Sequence, residues 1–181
     1  MELALTQPVA AYDVDIGALF DAHAEGLCRM VHRMTGSREV AEDVVQEVFV
    51  TAWRRRSDLT DPSHVRTWLY RVAVNHVRHR RRSKARLLSF LDRWKVEPEA
   101  DSPVLPDTVV SREQRAAAIH AIVAQLSPKQ REVFVLYELQ ELSGQEIADI
   151  LEISVNTVWG RLRLARSSFR AAWEAKYGGT P

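Results

Sequence analysis

Asn156, Thr157, Trp159, Arg161, Arg163 and Arg166 crowd into eleven residues near the C-terminus. Amide, hydroxyl and guanidinium groups together are the set that reads base edges and holds phosphates. From Ser154 to Pro181 there are five Lys/Arg and a single acid, Glu174. A face kept only for solubility mixes both signs; this one suits a polyanion. A second cationic set lies earlier. Arg78, Arg80, Arg81, Arg82, Lys84 and Arg86 put six positive charges into nine residues. Such a run on a helix needs an anionic partner or open solvent. Trp68, Tyr70 and His76 are interleaved before it and can stack on unpaired bases, while Trp68 can equally be core. A third set has the opposite sign. Glu39, Glu42, Asp43 and Glu47 stand without a base among them. That face is either solvated surface or a protein-docking patch from which DNA is repelled.

Enzymatic sites are not evident. His76 and His79 sit one helical turn apart, but no third ligand of suitable type lies near them. No nucleophile–base pairing, glycine-rich phosphate loop or paired-acid motif occurs. No cofactor and no catalytic residue is therefore expected.

These side chains need helices to position them. Ser143-Gly144-Gln145-Glu146 has the form of a capping box, and Ile147, Ala148, Ile150 and Leu151 follow as an apolar side. Ser154 can cap a second, longer helix. In it Val155, Val158, Leu162, Ala165 and Phe169 recur at steps of three and four, one buried stripe. Two helices joined by so short a turn form a helix-turn-helix. Glu152 stands where that turn favours glycine, at a cost of about 1 kcal/mol.

The rest of the chain also reads as helical. One helix runs from about Asp15 to Met34, with Ile16, Leu19, Phe20, Leu27, Met30, Val31 and Met34 inside and Gly36 as its stop. Ser37 can cap a second, to about Arg55, whose broad stripe takes in Val40, Ala41, Val44, Val45, Val48, Ala52 and Trp53. Ser57 to His64 is a polar loop. A third helix starts near Val65 and reaches the high eighties. Pro98, Pro103 and Pro106 among Glu97, Glu99, Asp101 and Asp107 mark residues 95–110 as a linker. Ser111 and Ser127-Pro128 then open two further helices. The expected fold is all-α: a helical domain over 13–94, the linker, and a helix-turn-helix domain over 111–177.

The 181 residues suffice for two small domains, and 46% of them are hydrophobic. The single Cys28 excludes a disulfide framework and fits a reducing compartment. No stretch reads as a membrane span or signal peptide, so a cytoplasmic protein without membrane insertion is expected. The net charge of +1 hides the segregation: twelve Lys/Arg face three acids between Arg54 and Trp94.

Ala41-Glu42-Asp43-Val44-Val45-Gln46-Glu47-Val48-Phe49 and Val65-Arg66-Thr67-Trp68-Leu69-Tyr70-Arg71-Val72-Ala73-Val74-Asn75 resemble the first domain of an extracytoplasmic-function (ECF) sigma factor. Leu126-Ser127-Pro128 with Arg131 and Val133-Phe134, Glu146-Ile147-Ala148, and Ser154 to Leu162 resemble the second. The resemblance implies a non-catalytic subunit that binds core RNA polymerase and directs promoter recognition, melting of the minus-ten element and initiation. It implies a polymerase contact at Asp43, Gln46 and Glu47. It puts Asn75, with Trp68, Arg78, Arg80, Arg81 and Arg82, on the minus-ten strand, and a pocket for an extruded base at Ser57 to His64. Asn156, Thr157, Trp159, Arg161, Arg163 and Arg166 would then serve the minus-thirty-five element. An anti-sigma factor is implied as a further partner. Trp159 and Gly160 depart from the family, which there usually has a basic and a small polar residue. The alternative is a free-standing regulator that binds operators as a homodimer.

Overall fold

The computed structural model describes residues 14–59, 61–91 and 112–178, and among them every regular element is helical. The first three long helices are α1 (Ile16–Thr35), α2 (Arg38–Arg54) and α3 (Pro62–Leu91). A short 3-10 turn, Arg56–Asp58, lies between α2 and α3. After residues 92–111 come α4 (Arg112–Gln125), α5 (Pro128–Phe134), a π-helical turn (Val135–Leu139), α6 (Gly144–Leu151) and α7 (Val155–Tyr177). The expected linker, 95–110, lies outside the described residues.

Local chemistry sets the boundaries. The Asp15 carboxylate accepts the Gly17 and Ala18 N–H groups at 2.8 and 3.1 Å and starts α1. Gly36 stops it in the left-handed region at φ 77°, where a side chain would be strained. Ser37 begins α2 by accepting from Val40 N–H. Asp61 opens α3: it accepts from the Ser63 backbone and hydroxyl at 2.9 and 2.7 Å and pairs with His64 at 2.7 Å. These bonds, the Ser63 hydroxyl first, hold the Asp61 carboxyl down at about 2. Of the expected polar loop, Pro62 to His64 thus form the helix start and Ser57 and Asp58 belong to the 3-10 turn, while Leu59 between them is buried. The π turn had no signal in the sequence; across it the Leu142 N–H reaches the Leu136 carbonyl at 3.1 Å.

Helices α1, α2 and α3 pack mutually, and α7 receives α4, α5 and α6. Leu27, Met30, Val44, Val48, Leu69 and Val74 are fully buried in the first group, and Ile122, Leu136, Ile147, Ile150 and Leu162 in the second. The expected stripes are right in phase but too broad. Phe20 and Trp53 were expected inside, yet they remain 45% and 60% exposed. Trp53 sits at the end of α2 beneath the Arg56 guanidinium, 5.2 Å from its ring.

The two groups are packed together. Helix α6 lies on α3, and α4 and the π turn lie on α1. Much of this seam is arginine on helix ends. Arg131 donates to the Met34 carbonyl at 3.0 Å and to those of Ala124 and Leu126. Arg33 donates to the Leu139 carbonyl at 2.6 Å, and Arg71 to that of Asp149 at 2.6 Å. Each satisfies a carbonyl that a helix terminus leaves unpaired.

His32 of α1 and His120 of α4 meet on the same seam, ring centroids 5.1 Å apart. Burial, then His32 and Arg33, push the His120 imidazole below its ordinary 6.5. The packed state therefore favours neutral His120. That contribution is intact above pH 6.5 and is lost as pH falls through the lowered folded value. The urea midpoint is expected to drop on going from about pH 7.5 to about pH 5.5, and His120→Gln is expected to flatten the drop. A slope unchanged by the substitution would remove His120 as its cause.

Candidate nucleic-acid interface

The helix-turn-helix forms as its residues indicate. Ser143 N–H donates to Glu146 Oε2 at 2.8 Å while Glu146 N–H donates to Ser143 Oγ at 3.2 Å, the reciprocal box that starts α6. Glu152 takes the left-handed turn at φ 57° despite its side chain. Ser154 then accepts from Thr157 N–H at 3.2 Å and starts α7. Val158, Leu162, Ala165, Phe169 and Trp173 face inward. The opposite side carries Asn156, Trp159, Arg163 and Arg166, all exposed, with Thr157 and Arg161 half-buried beside them.

These residues are not equally available. Arg161 and Arg163 make no ion pair among the described residues, and Asn156 is open to solvent. The Thr157 hydroxyl is 2.8 Å from Ser154 Oγ and belongs to the helix start. Arg166 donates to Glu138 Oε1 at 2.6 Å and lies 5.3 Å from the Tyr137 ring centroid. Trp159 meets Tyr137 edge-on, with centroids 5.5 Å apart.

On α3, Asn75 and Arg82 are exposed and unpaired among the described residues. Trp68 is partly buried against the core, with the Arg55 guanidinium 5.9 Å from its ring. The other arginines are occupied. Arg78 donates Nε and Nη2 to the two carboxylate oxygens of Glu132 at 3.1 and 2.8 Å, a bidentate pair. Arg81 lies 3.6 Å from the same carboxylate. Glu132, on α5, is only 4% exposed. Its hydrogen bond raises the Arg78 guanidinium above its ordinary value, against the opposing effect of burial. Arg80 donates to Glu47 Oε1 at 2.7 Å and to Asp43 Oδ2 at 3.2 Å, and the Glu47 bond raises it likewise. His76 Nδ1 lies 2.9 Å from Glu47 Oε2.

The expected separation of acidic and basic surfaces is therefore not how the residues sit. Asp43, Gln46 and Glu47 share one crevice with Arg80 and His76. Crowded guanidinium groups repel one another, and the nearest carboxylates on α2 and α5 relieve them. Nothing near Glu132 in sequence marks its role; the only hint was an acid beside Val133 and Phe134 that burial would leave without a partner. Arg71 was also missed, and besides the Asp149 carbonyl it approaches Glu152 at 3.8 Å. The geometry can bind anions through Asn75, Arg82, Asn156, Arg161 and Arg163 as it stands, and through Arg78, Arg80 and Arg81 once their carboxylates let go. Among the described residues no group of His, Cys, Asp and Glu could hold a metal ion. No helix among them is long and apolar enough to cross a membrane.

Residues 19–87 match the family described as Sigma-70 region 2, and residues 116–168 the one described as Sigma-70, region 4. The chain is 33% identical to the ECF RNA polymerase sigma factor SigG of Mycobacterium tuberculosis, over 83% of this chain and 48% of that protein. It thus spans about half the length of that relative. It is 32% identical to the ECF sigma factor SigW of Bacillus subtilis, over 84% of this chain and 85% of that protein. The sigma factor RpoE of Bartonella quintana, solved with the anti-sigma factor NepR, shares the fold with a TM-score of 0.71 at 20% identity, covering 90% of this chain and 98% of that one. CnrH, solved with the cytosolic domain of CnrY, gives 0.64 at 28% identity, covering 89% and 88%.

Removing the Glu132 carboxylate leaves Arg78 half-buried and unpaired. Glu132→Ala is expected to lower unfolding stability by on the order of 3 kcal/mol, measured by urea denaturation at neutral pH. A loss under about 0.5 kcal/mol, the size for a solvated surface pair, would show that the contact is not held in solution.

Proposed function

The chain belongs to the ECF RNA polymerase sigma factors, and from that premise we propose that it binds core RNA polymerase and directs it to promoter DNA. In this reading it catalyses nothing itself and works in the cytoplasm. The observation that carries it is the pair of family matches, region 2 then region 4, each falling on its own group of packed helices. An operator-binding homodimer needs no region 2, so that alternative is not favoured.

The roles divide over residues 13–94, 95–110 and 111–177. Asp43, Gln46 and Glu47 on α2 contact the polymerase. Asn75, Trp68 and Arg82, with Arg78, Arg80 and Arg81, hold the minus-ten strand. Asn156, Thr157, Trp159, Arg161, Arg163 and Arg166 serve the minus-thirty-five element from the major groove. The names of the two elements put them about 25 base pairs apart, roughly 85 Å of duplex at 3.4 Å per pair. Two packed helical groups cannot cover that span, so working at a promoter requires them to separate. Separation takes Glu132 away from Arg78 and Arg81 and leaves both for phosphate. RpoE and CnrH were each solved with a partner, and we extend to this chain an anti-sigma factor of its own.

Asp43→Ala with Glu47→Ala is expected to reduce capture of core polymerase at least tenfold in a pull-down with purified proteins. Because both acids also hold Arg80, Arg80→Ala is the necessary control, and it should keep polymerase capture while weakening minus-ten single-strand binding. Equal capture by the double variant and the wild type would make the acids mere counterions. Arg161→Ala is expected to cost about 1–3 kcal/mol of duplex affinity, read as loss of minus-thirty-five-dependent transcription. Unchanged promoter selection would show that α7 does not enter the groove as described.

A further inference from the structure

Trp159 is 44% exposed in the second turn of α7, yet its ring is not free to move. A Cβ placed on Gly144 would lie 2.5 Å from its Cζ2 and 3.0 Å from its Cη2, so the indole lies against the bare backbone at the start of α6. Tyr137 meets the ring at 77°. The Arg166 guanidinium approaches Tyr137 in turn and is itself held by Glu138. Gly144 and Tyr137 thus hold one side of the indole, and the exposed remainder shares its face of α7 with Asn156 and Arg163.

That exposed remainder has little to offer a phosphate. An indole carries no charge and has one N–H donor and no acceptor. It cannot make the two-pronged contact by which arginine or lysine selects guanine. What it presents is a rigid apolar edge, and among major-groove groups the apolar one is the C5 methyl of thymine. We propose that Trp159, seated on Gly144, is a specificity-determining residue that reads a thymine methyl in the minus-thirty-five element. This rests on the placement of α7 in the major groove given above. The socket explains why the reader is stiff: a loose ring would fit any base pair, whereas one fixed by Gly144 and Tyr137 meets a methyl at one position.

The test replaces single thymines by uracil, which removes the methyl and changes nothing else at the base edge. Polymerase reconstituted with the full chain is titrated against a promoter duplex selected from a randomised pool. At one thymine the wild type is expected to bind the uracil duplex about fourfold more weakly, the value of one buried methyl. Trp159→Ala should bind both duplexes equally, and Gly144→Ala, whose new Cβ displaces the ring, should lose most of the difference. The proposal is overturned if no thymine is uracil-sensitive, if the sensitivity survives in Trp159→Ala, or if Trp159→Ala weakens every duplex alike, as a phosphate contact or a packing role would. If the reconstituted polymerase selects no duplex at all, the sigma-factor reading fails and takes this one with it. Selection without methyl dependence removes only Trp159.

Discussion

A buried carboxylate must have its counter-charge, and in this chain that requirement ties the two helical groups together. Glu132 sits beside Val133 and Phe134, the other two buried residues of α5, almost without solvent. Desolvating an ion costs several kcal/mol, and a bidentate guanidinium is the partner best able to offset it. Arg78 supplies that partner from α3, 54 positions away. The exposed pairs matter far less. Arg80 with Asp43 and Arg166 with Glu138 are each half-open to water, and pairs of that kind contribute at most about 1 kcal/mol.

Arginine has a second use on the same seam. Arg131, Arg33 and Arg71 each reach across it to carbonyls at or near the end of an element in the other group. The C-terminal end of a helix is a partial negative charge with unsatisfied acceptors, so a guanidinium there gains both attraction and hydrogen bonds. The arrangement fixes relative orientation more sharply than apolar packing can, because each donor needs its own carbonyl within about 3 Å. The seam is thus read largely through charge and hydrogen bonding.

Much of the fold was legible because helix ends are local. Ser37, Ser143 and Ser154 start helices where their hydroxyls reach an N–H three residues on, and Gly36 stops one because a left-handed residue is needed there. Even the strained Glu152 could be placed from the spacing of its neighbours. The candidate site was harder to read. A sequence shows that Asp43 and Arg80 have opposite signs but not that helix packing brings them within 3.2 Å. Assigning the acids to one partner and the cations to another treats them as separate surfaces, whereas helix packing brings Asp43, Glu47 and Arg80 into one crevice. Trp159 left base contact and packing both open, and the structure shows a ring with one side seated and the remainder exposed. Its seat depends on Gly144, a residue whose significance is only the absence of a Cβ.

The cations of the two groups differ in how far they are already spoken for. On α3, the guanidinium groups nearest the seam are engaged by Glu132, and those nearest α2 by Asp43 and Glu47; Asn75 and Arg82 remain open. Among the described residues of α7, Arg166 alone makes an ion pair. Asn156, Arg161 and Arg163 toward its start are unengaged, while Arg166 further along is held by Glu138. A recognition helix works through its first turns. Glu138 belongs to the π turn of the same group, so its pairing with Arg166 does not arise from the packing of the two groups. Of the carboxylates that engage α3, only Glu132 reaches across from the other group; Asp43 and Glu47 stand on α2, within the same group as α3.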